Sequence, residues 1–193
     1  MDHPKLRIRR ATLHIITGLG ILTFLSFYPY THWLIFFALL IGIVISFLST
    51  AIKIPIISFF LNNFELERHK KEFPGKSFLF FLAGSLLVIK LFTKDISFAS
   101  IAILTFADPV SYFVSNFKQK RTRRKTLLGI FLAMITAIIA ASFFVPLKYA
   151  IPAGFFAMLA EAFIIKVWED HIDDNFLIPI VAGTTIHICR IFF

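Results

Sequence analysis

Along this chain the apolar residues gather into seven long runs parted by short polar intervals, and within each run the hydrophobicity is nearly continuous. The runs cover Ala11–Tyr28, Trp33–Ala51, Ser77–Phe92, Ile96–Phe117, Leu127–Val145, Tyr149–Val167 and Phe176–Phe193. A helix that is hydrophobic all round needs an apolar surrounding, and about 20 such residues at 1.5 Å rise cross the hydrocarbon core of a bilayer. The pattern predicts an all-α, polytopic integral membrane protein with about seven transmembrane helices. The longest polar interval, Asn62 to Lys76, is no more than a linker, so residues 1–193 read as a single membrane-embedded domain.

Composition agrees, since 58% hydrophobic residues and a mean hydropathy of +0.83 leave more apolar surface than a soluble domain of this size buries. The first run ends in Phe27-Tyr28-Pro29-Tyr30, with no small-residue cleavage site, and therefore reads as a retained span. Cys189 is the one cysteine, which excludes an internal disulfide. The net charge of +9 would suit nucleic acid, but its distribution argues against that partner. Basic residues concentrate before span one (Lys5, Arg7, Arg9, Arg10), between spans two and three (Lys53, Arg68, Lys70, Lys71, Lys76), and between spans four and five (Lys118 to Lys125). With seven crossings these stretches share one side, which the positive-inside rule makes cytoplasmic. The N-terminus is expected inside and the C-terminus on the opposite side.

Span four carries Asp108-Pro109. Proline removes a helix donor and crowds the carbonyl four residues back, while Asp followed by Pro suits a helix start. The expectation is a span broken at Asp108-Pro109 beside a polar cavity, its new N-terminus open to an anion.

Ionisable side chains inside spans cost at least about 2.5–3.5 kcal/mol, so each one calls for an explanation. They are His14, Asp108, Glu161, His187 and Arg190. On the expected topology the first three reach a similar depth on the cytoplasmic side, joined by the acidic stretch Glu169, Asp170, Asp173, Asp174 and Asn175. Carboxylates for a divalent cation beside a basic loop are the mixture that a nucleoside triphosphate with magnesium requires. Plainer roles stand next to these. His14 would serve as an interhelical hydrogen-bond partner, Asp108 as an N-cap, and Asp174 or Asn175 as caps of span seven. Lys118–Lys125 would serve as an anionic-lipid anchor. His187 and Arg190 fall on the far side and read as interface residues.

Four blocks in order give the chain a resemblance to the polyprenol kinase family, which includes dolichol kinase, phytol kinase and the CTP-dependent diacylglycerol kinase of fungi. They are Arg9-Arg10-x-x-x-His14-x-x-x-Gly18-Leu19, then Phe106-Ala107-Asp108-Pro109-Val110-Ser111-Tyr112, then Lys125-Thr126-Leu127-Leu128-Gly129, and last Ala160-Glu161 with Asp173-Asp174-Asn175-Phe176-Leu177-Ile178-Pro179. The second block resembles the family's Gly-Asp-x-x-Ala, with Ala107 in place of its Gly. The third resembles Lys-Ser-x-Glu-Gly, with Leu128 in place of Glu.

The resemblance implies a membrane-bound phosphotransferase. It would move the γ-phosphoryl of CTP or another nucleoside triphosphate, with Mg2+, to the hydroxyl of a polyprenol, isoprenoid or diacylglycerol-like alcohol at the cytoplasmic interface. Asp108 and Asp174 would hold the metal; Asp108, Glu161 and His14 would act on the hydroxyl. Arg10, Lys125, Thr126 and Asn175 would bind nucleotide and phosphate, among membrane lipids and without nucleic acid. A CTP-dependent phospholipid cytidylyltransferase is the alternative enzyme. A small transporter or membrane scaffold is the alternative of another class, disfavoured because the polar groups cluster on one side.

Overall fold

The computed structural model describes residues 4–52, 63, 73–118, 126–162, 166–167 and 170–192. Seven helices lie among them: α1 Pro4–Phe27, α2 Thr31–Ala51, α3 Lys76–Leu91, α4 Lys94–Lys118, α5 Leu127–Ser142, α6 Leu147–Ala162 and α7 Asp174–Phe192. Each coincides with one apolar run to within a few residues, except that α1 extends back through the basic stretch. Four of them, α1, α2, α4 and α7, are long and apolar enough to cross a membrane. The others, of 16 residues each, measure about 24 Å at 1.5 Å per residue.

Lys166 and Val167, which the hydrophobic run assigned to span six, form instead a strand β1. It pairs antiparallel with β2, Asp170–His171, Lys166 standing opposite His171 and Val167 opposite Asp170. The β-branched residues Ile164, Ile165 and Val167 around this point favour such a change.

Helix α4 is the axis of the bundle and packs against α1, α3, α5, α6 and α7. Small residues make its surroundings tight. Ala133, Ala137, Ala140 and Ala141 of α5 and Ala150, Ala153, Gly154 and Ala157 of α6 are buried against one another, and a Cβ on Gly154 would come within 2.7 Å of Ile138. In a membrane such stripes let backbones approach and replace the missing hydrophobic drive with dispersion contacts. Outside, α2 presents Trp33, Phe36, Phe37, Leu40, Ile41, Val44 and Phe47, all exposed, the surface a lipid solvent would cover.

The expected break at Asp108-Pro109 is absent: α4 runs unbroken from Lys94 to Lys118 with Pro109 inside it. Asp108 is consequently neither an N-cap nor beside a new helix N-terminus. Proline inside a membrane helix is tolerated where neighbouring groups take up the disturbed carbonyls. Pro109 leaves the Thr105 carbonyl without its helical donor; the neighbouring Leu104 carbonyl accepts from His14 Nε2 of α1 at 2.9 Å. Packing by helices on all sides holds the rest.

The two ends of the bundle differ. At one end lie the α1–α2, α3–α4 and α5–α6 turns, tied by Lys94 Nζ donating to the Ser26 carbonyl at 3.5 Å and by Phe98 stacked on Phe144. Lys90 sits over Trp33 and Lys148 over Tyr149. Arg190 of α7 pairs there with Asp95 of α4 and donates to Thr93 Oγ1 at 3.2 Å. At the opposite end Arg9 bonds Asn63, and Ser46 Oγ donates to the Pro74 carbonyl at 2.6 Å.

Candidate functional site

Three helices each bring one carboxylate to this second end. Asp108 comes from the middle of α4, Glu161 from the last turn of α6 and Asp174 from the first residue of α7. One oxygen of each lies within 4.8 Å of the others, a spacing that a divalent cation could bridge. Glu161 continues the buried face of α6 that runs through Ala150, Ala153, Gly154 and Ala157, and it is only 3% exposed. Since α6 ends at Ala162 and α7 begins at Asp174, the cluster sits at the close of that helix pair rather than midway along it. Unit charges at this separation repel by about 3 kcal/mol per pair at an effective dielectric near 20. A cation among them offsets that cost, and an all-carboxylate set is the donor chemistry of a hard divalent ion.

The start of α7 explains which of two adjacent aspartates joins the cluster. Asp173 Oδ1 accepts from the Asn175 backbone N–H at 3.1 Å and from Asn175 Nδ2 at 2.8 Å, so Asp173 caps the helix. Asp174, one residue on, is thereby released from capping. Burial, with the charges of Asp174 and Asp108 nearby, pushes the Asp173 carboxyl up to about 6, against the two bonds from Asn175. Helix α3 fits closely over this turn: a Cβ on Gly84 would come within 2.6 Å of the Asn175 carbonyl. That carbonyl has lost its own helical donor to Pro179.

His14 borders the cluster from α1. Its Nδ1 lies 3.7 Å from Asp108 Oδ2, its Nε2 is fixed by Leu104, and its ring meets the buried Phe81 of α3 edge-on at 4.7 Å. Because a carbonyl only accepts, Nε2 carries a proton and Nδ1 is the nitrogen turned to Asp108. One turn below, Arg10 donates to Ser77 Oγ at 3.0 Å in the first turn of α3.

Thr126 is the N-cap of α5, its hydroxyl accepting from Gly129 N at 3.1 Å, and its own N–H donates to Ser115 Oγ of α4 at 2.9 Å. Gly129 lets the two helices touch, since a Cβ there would overlap Ser115 Oγ. Of the residues singled out from sequence, then, His14, Asp108, Glu161 and Asp174 converge with Asn175 beside them, while Arg10 and Thr126 stand about them as helix-end contacts. Lys125 and the rest of 119–125 lie outside the described residues, as do Glu169 and the interval 64–72. Asp173, expected in the acidic stretch beside the site, lies there as the cap of α7, while Phe81, Ser77 and Ser115 were missed as neighbours of the site, since nothing local in the sequence marks them. Comparison with protein-family models, with characterised proteins and with solved structures gave no match to this chain.

Proposed function

We propose that this chain crosses the membrane seven times, N-terminus inside, and transfers the γ-phosphoryl of a nucleoside triphosphate to the hydroxyl of a lipid alcohol. The observation that carries the reading is the meeting of Asp108, Glu161 and Asp174 within 4.8 Å at one end of an apolar bundle. Such an end lies where a water-soluble phosphate donor and a membrane-dissolved acceptor meet. A bound magnesium ion would neutralise phosphate charge and orient the triphosphate. Asp108 and Asp174 would hold that ion. Glu161 and His14 would place the acceptor hydroxyl, whose oxygen bonds to Pγ as the bond from Pγ to its bridging oxygen breaks. Nucleoside diphosphate leaves, and the hydroxyl proton passes to the carboxylate cluster. Arg10 and the basic stretch before Thr126 would offset charge on the departing diphosphate.

The test is incubation of purified protein with Mg2+, a panel of lipid alcohols and CTP, ATP or GTP labelled at either the α- or the γ-phosphate. The expected product is lipid phosphate carrying the γ-label. Label arriving from the α-position, on a phosphorylated acceptor, would mark a nucleotidyltransferase instead, and no labelled lipid with any nucleotide would overturn the reading.

A further inference from the structure

Hydroxyl groups in the helices of this protein follow one habit. Thr17 donates to Leu13, Ser26 to Leu22, Ser100 to Ile96, Thr105 to Ile101 and Thr185 to Val181, each to the carbonyl one turn back. A hydroxyl in an apolar surrounding has no cheaper partner. Ser85 of α3 and Ser111 of α4 depart from this: both are 0% exposed, and neither Oγ bonds any described group. Ser111 is the one on the helix that carries Asp108. An orphaned buried hydroxyl forgoes the bond that normally offsets its desolvation, and native proteins keep such groups where a ligand or water completes them.

Its place is informative. Asp108, Ser111 and Ser115 stand three and four residues apart, hence on one face of α4. They lead from the carboxylate cluster toward the first turn of α5, about 10 Å along the axis. The Ser111 carbonyl is 3.0 Å from where a Gly129 Cβ would stand, which puts this residue on the α5 side of α4. A second orphan flanks the cluster from α7. Asn175 is 8% exposed, its Nδ2 is taken by Asp173, and its Oδ1 has no described partner. Two buried oxygens without partners therefore adjoin two of the three carboxylates.

We infer that Ser111 is a ligand-binding residue whose hydroxyl donates to a phosphate oxygen of a polyphosphate held at the carboxylate cluster and laid along α4 toward the start of α5. The cluster offers only acceptors, so an anion bridged to it by a cation needs donors from elsewhere, and Ser111 is an unspent one on α4, on the side of the capped α5 terminus. This inference rests on the phosphotransfer reading and specifies where the donor's phosphate chain runs.

The experiment uses the full chain in detergent with three probes: Mn2+ alone, followed by its electron paramagnetic resonance, and inorganic tripolyphosphate or farnesyl monophosphate at saturating Mn2+, each followed by calorimetry. Ser111→Ala is expected to bind Mn2+ as the wild type does, to melt no lower, and to bind tripolyphosphate about 10- to 100-fold more weakly, the effect of losing one hydrogen bond to a charged group. Ser100→Ala, on the same face but bonded to its own helix, is expected to change neither. Unchanged tripolyphosphate affinity in Ser111→Ala, with Mn2+ binding still dependent on Asp108, would overturn this role alone and leave a hydroxyl completed by buried water. A loss confined to farnesyl monophosphate would move the contact to the lipid's phosphate and equally overturn it. Binding of neither Mn2+ nor tripolyphosphate by the wild type would overturn the phosphotransfer reading and this role together.

Discussion

Gly18 of α1 lies so close to Thr105 of α4 that a Cβ on the glycine would overlap all three side-chain atoms of the threonine. The contact is one turn from His14 on α1 and one turn from Asp108 on α4, so it sets how near the imidazole comes to the carboxylate. Gly18→Ala must push α1 outward, and overpacking of this kind costs about 1–3 kcal/mol. The expected outcome is a lowered thermal midpoint together with weakened divalent-cation binding. Thr105→Ala in the same chain removes two of the three obstructing atoms and is expected to restore part of both. Cation affinity unchanged in Gly18→Ala would mean that the His14–Asp108 approach has no bearing on the cluster.

Because Asp108 sits inside a continuous helix and caps nothing, Asp108→Asn changes charge with little change in shape. The same holds for Glu161→Gln and Asp174→Asn, the α7 cap belonging to Asp173. Each variant is expected to stay monodisperse and thermally stable. Each should lose cation binding, and in the phosphotransfer assay lose turnover by several powers of ten. Near-normal turnover in both Asp108→Asn and Glu161→Gln would remove the cluster from the chemistry.

The helices were legible because each rests on a continuous apolar run, and the α1–α2, α3–α4 and α5–α6 turns are only a few residues long. What sequence could not supply was tertiary. Pro109 reads as a break until one knows that α4 is packed by helices from several sides. Asp173 and Asp174 are interchangeable on paper; only the bonds from Asn175 show which caps and which faces Asp108 and Glu161. The Asp95–Arg190 pair joins residues 95 positions apart, and no local pattern announces it. By contrast the spacing of His14 and Gly18, one turn apart on one face of α1, is plain in the sequence, though its reason is not. The histidine reaches α4 because the glycine lets α1 close in.

Orientation is checked with single cysteines in a Cys189→Ser background. Tyr30, exposed in the α1–α2 turn, serves for one face; its neighbour Thr31 is unsuitable, being 2% exposed and donating to the Phe24 and Tyr28 carbonyls. Gln119, in the basic stretch, serves for the other. Cysteines at Tyr30 and Gln119 are expected to react with impermeant thiol reagents from opposite sides, Gln119 from the cytoplasm. Reaction from the same side would refute the seven-crossing arrangement.

At the far end, Asp95 and Arg190 are 41% and 36% exposed, so their pair is worth at most about 1 kcal/mol. Asp95 also stands about 20 Å along α4 from Asp108. Arg190→Gln is expected to lower the thermal midpoint slightly and to leave cation binding and turnover unchanged. A loss of cation binding in this variant would show that the two ends of α4 are coupled.

The raised Asp173 carboxyl gives a pH dependence whose sign can be worked out. In the unfolded chain this group titrates near 3.8 and in the fold near 6, so between those values the native state holds the proton more firmly. Its contribution to stability is fully present below about pH 4, declines as pH rises, and above 6 becomes the cost of a buried charge beside Asp174 and Asp108. Two pH units correspond to at most about 3 kcal/mol. Asp173→Asn keeps an oxygen to accept from the Asn175 backbone N–H and Nδ2, so the cap survives while the charge goes. In chelator, where no cation offsets the cluster, the variant is expected to melt higher than the wild type at pH 7.5 and at nearly the same temperature at pH 4. Saturating Mn2+ should narrow the difference at pH 7.5, because a cation near Asp108 and Asp174 also relieves Asp173. Thermal melts at the two pH values, with and without Mn2+, decide the matter; a variant less stable than the wild type at pH 7.5 in chelator would mean that the carboxylate at 173 holds the α7 turn in place.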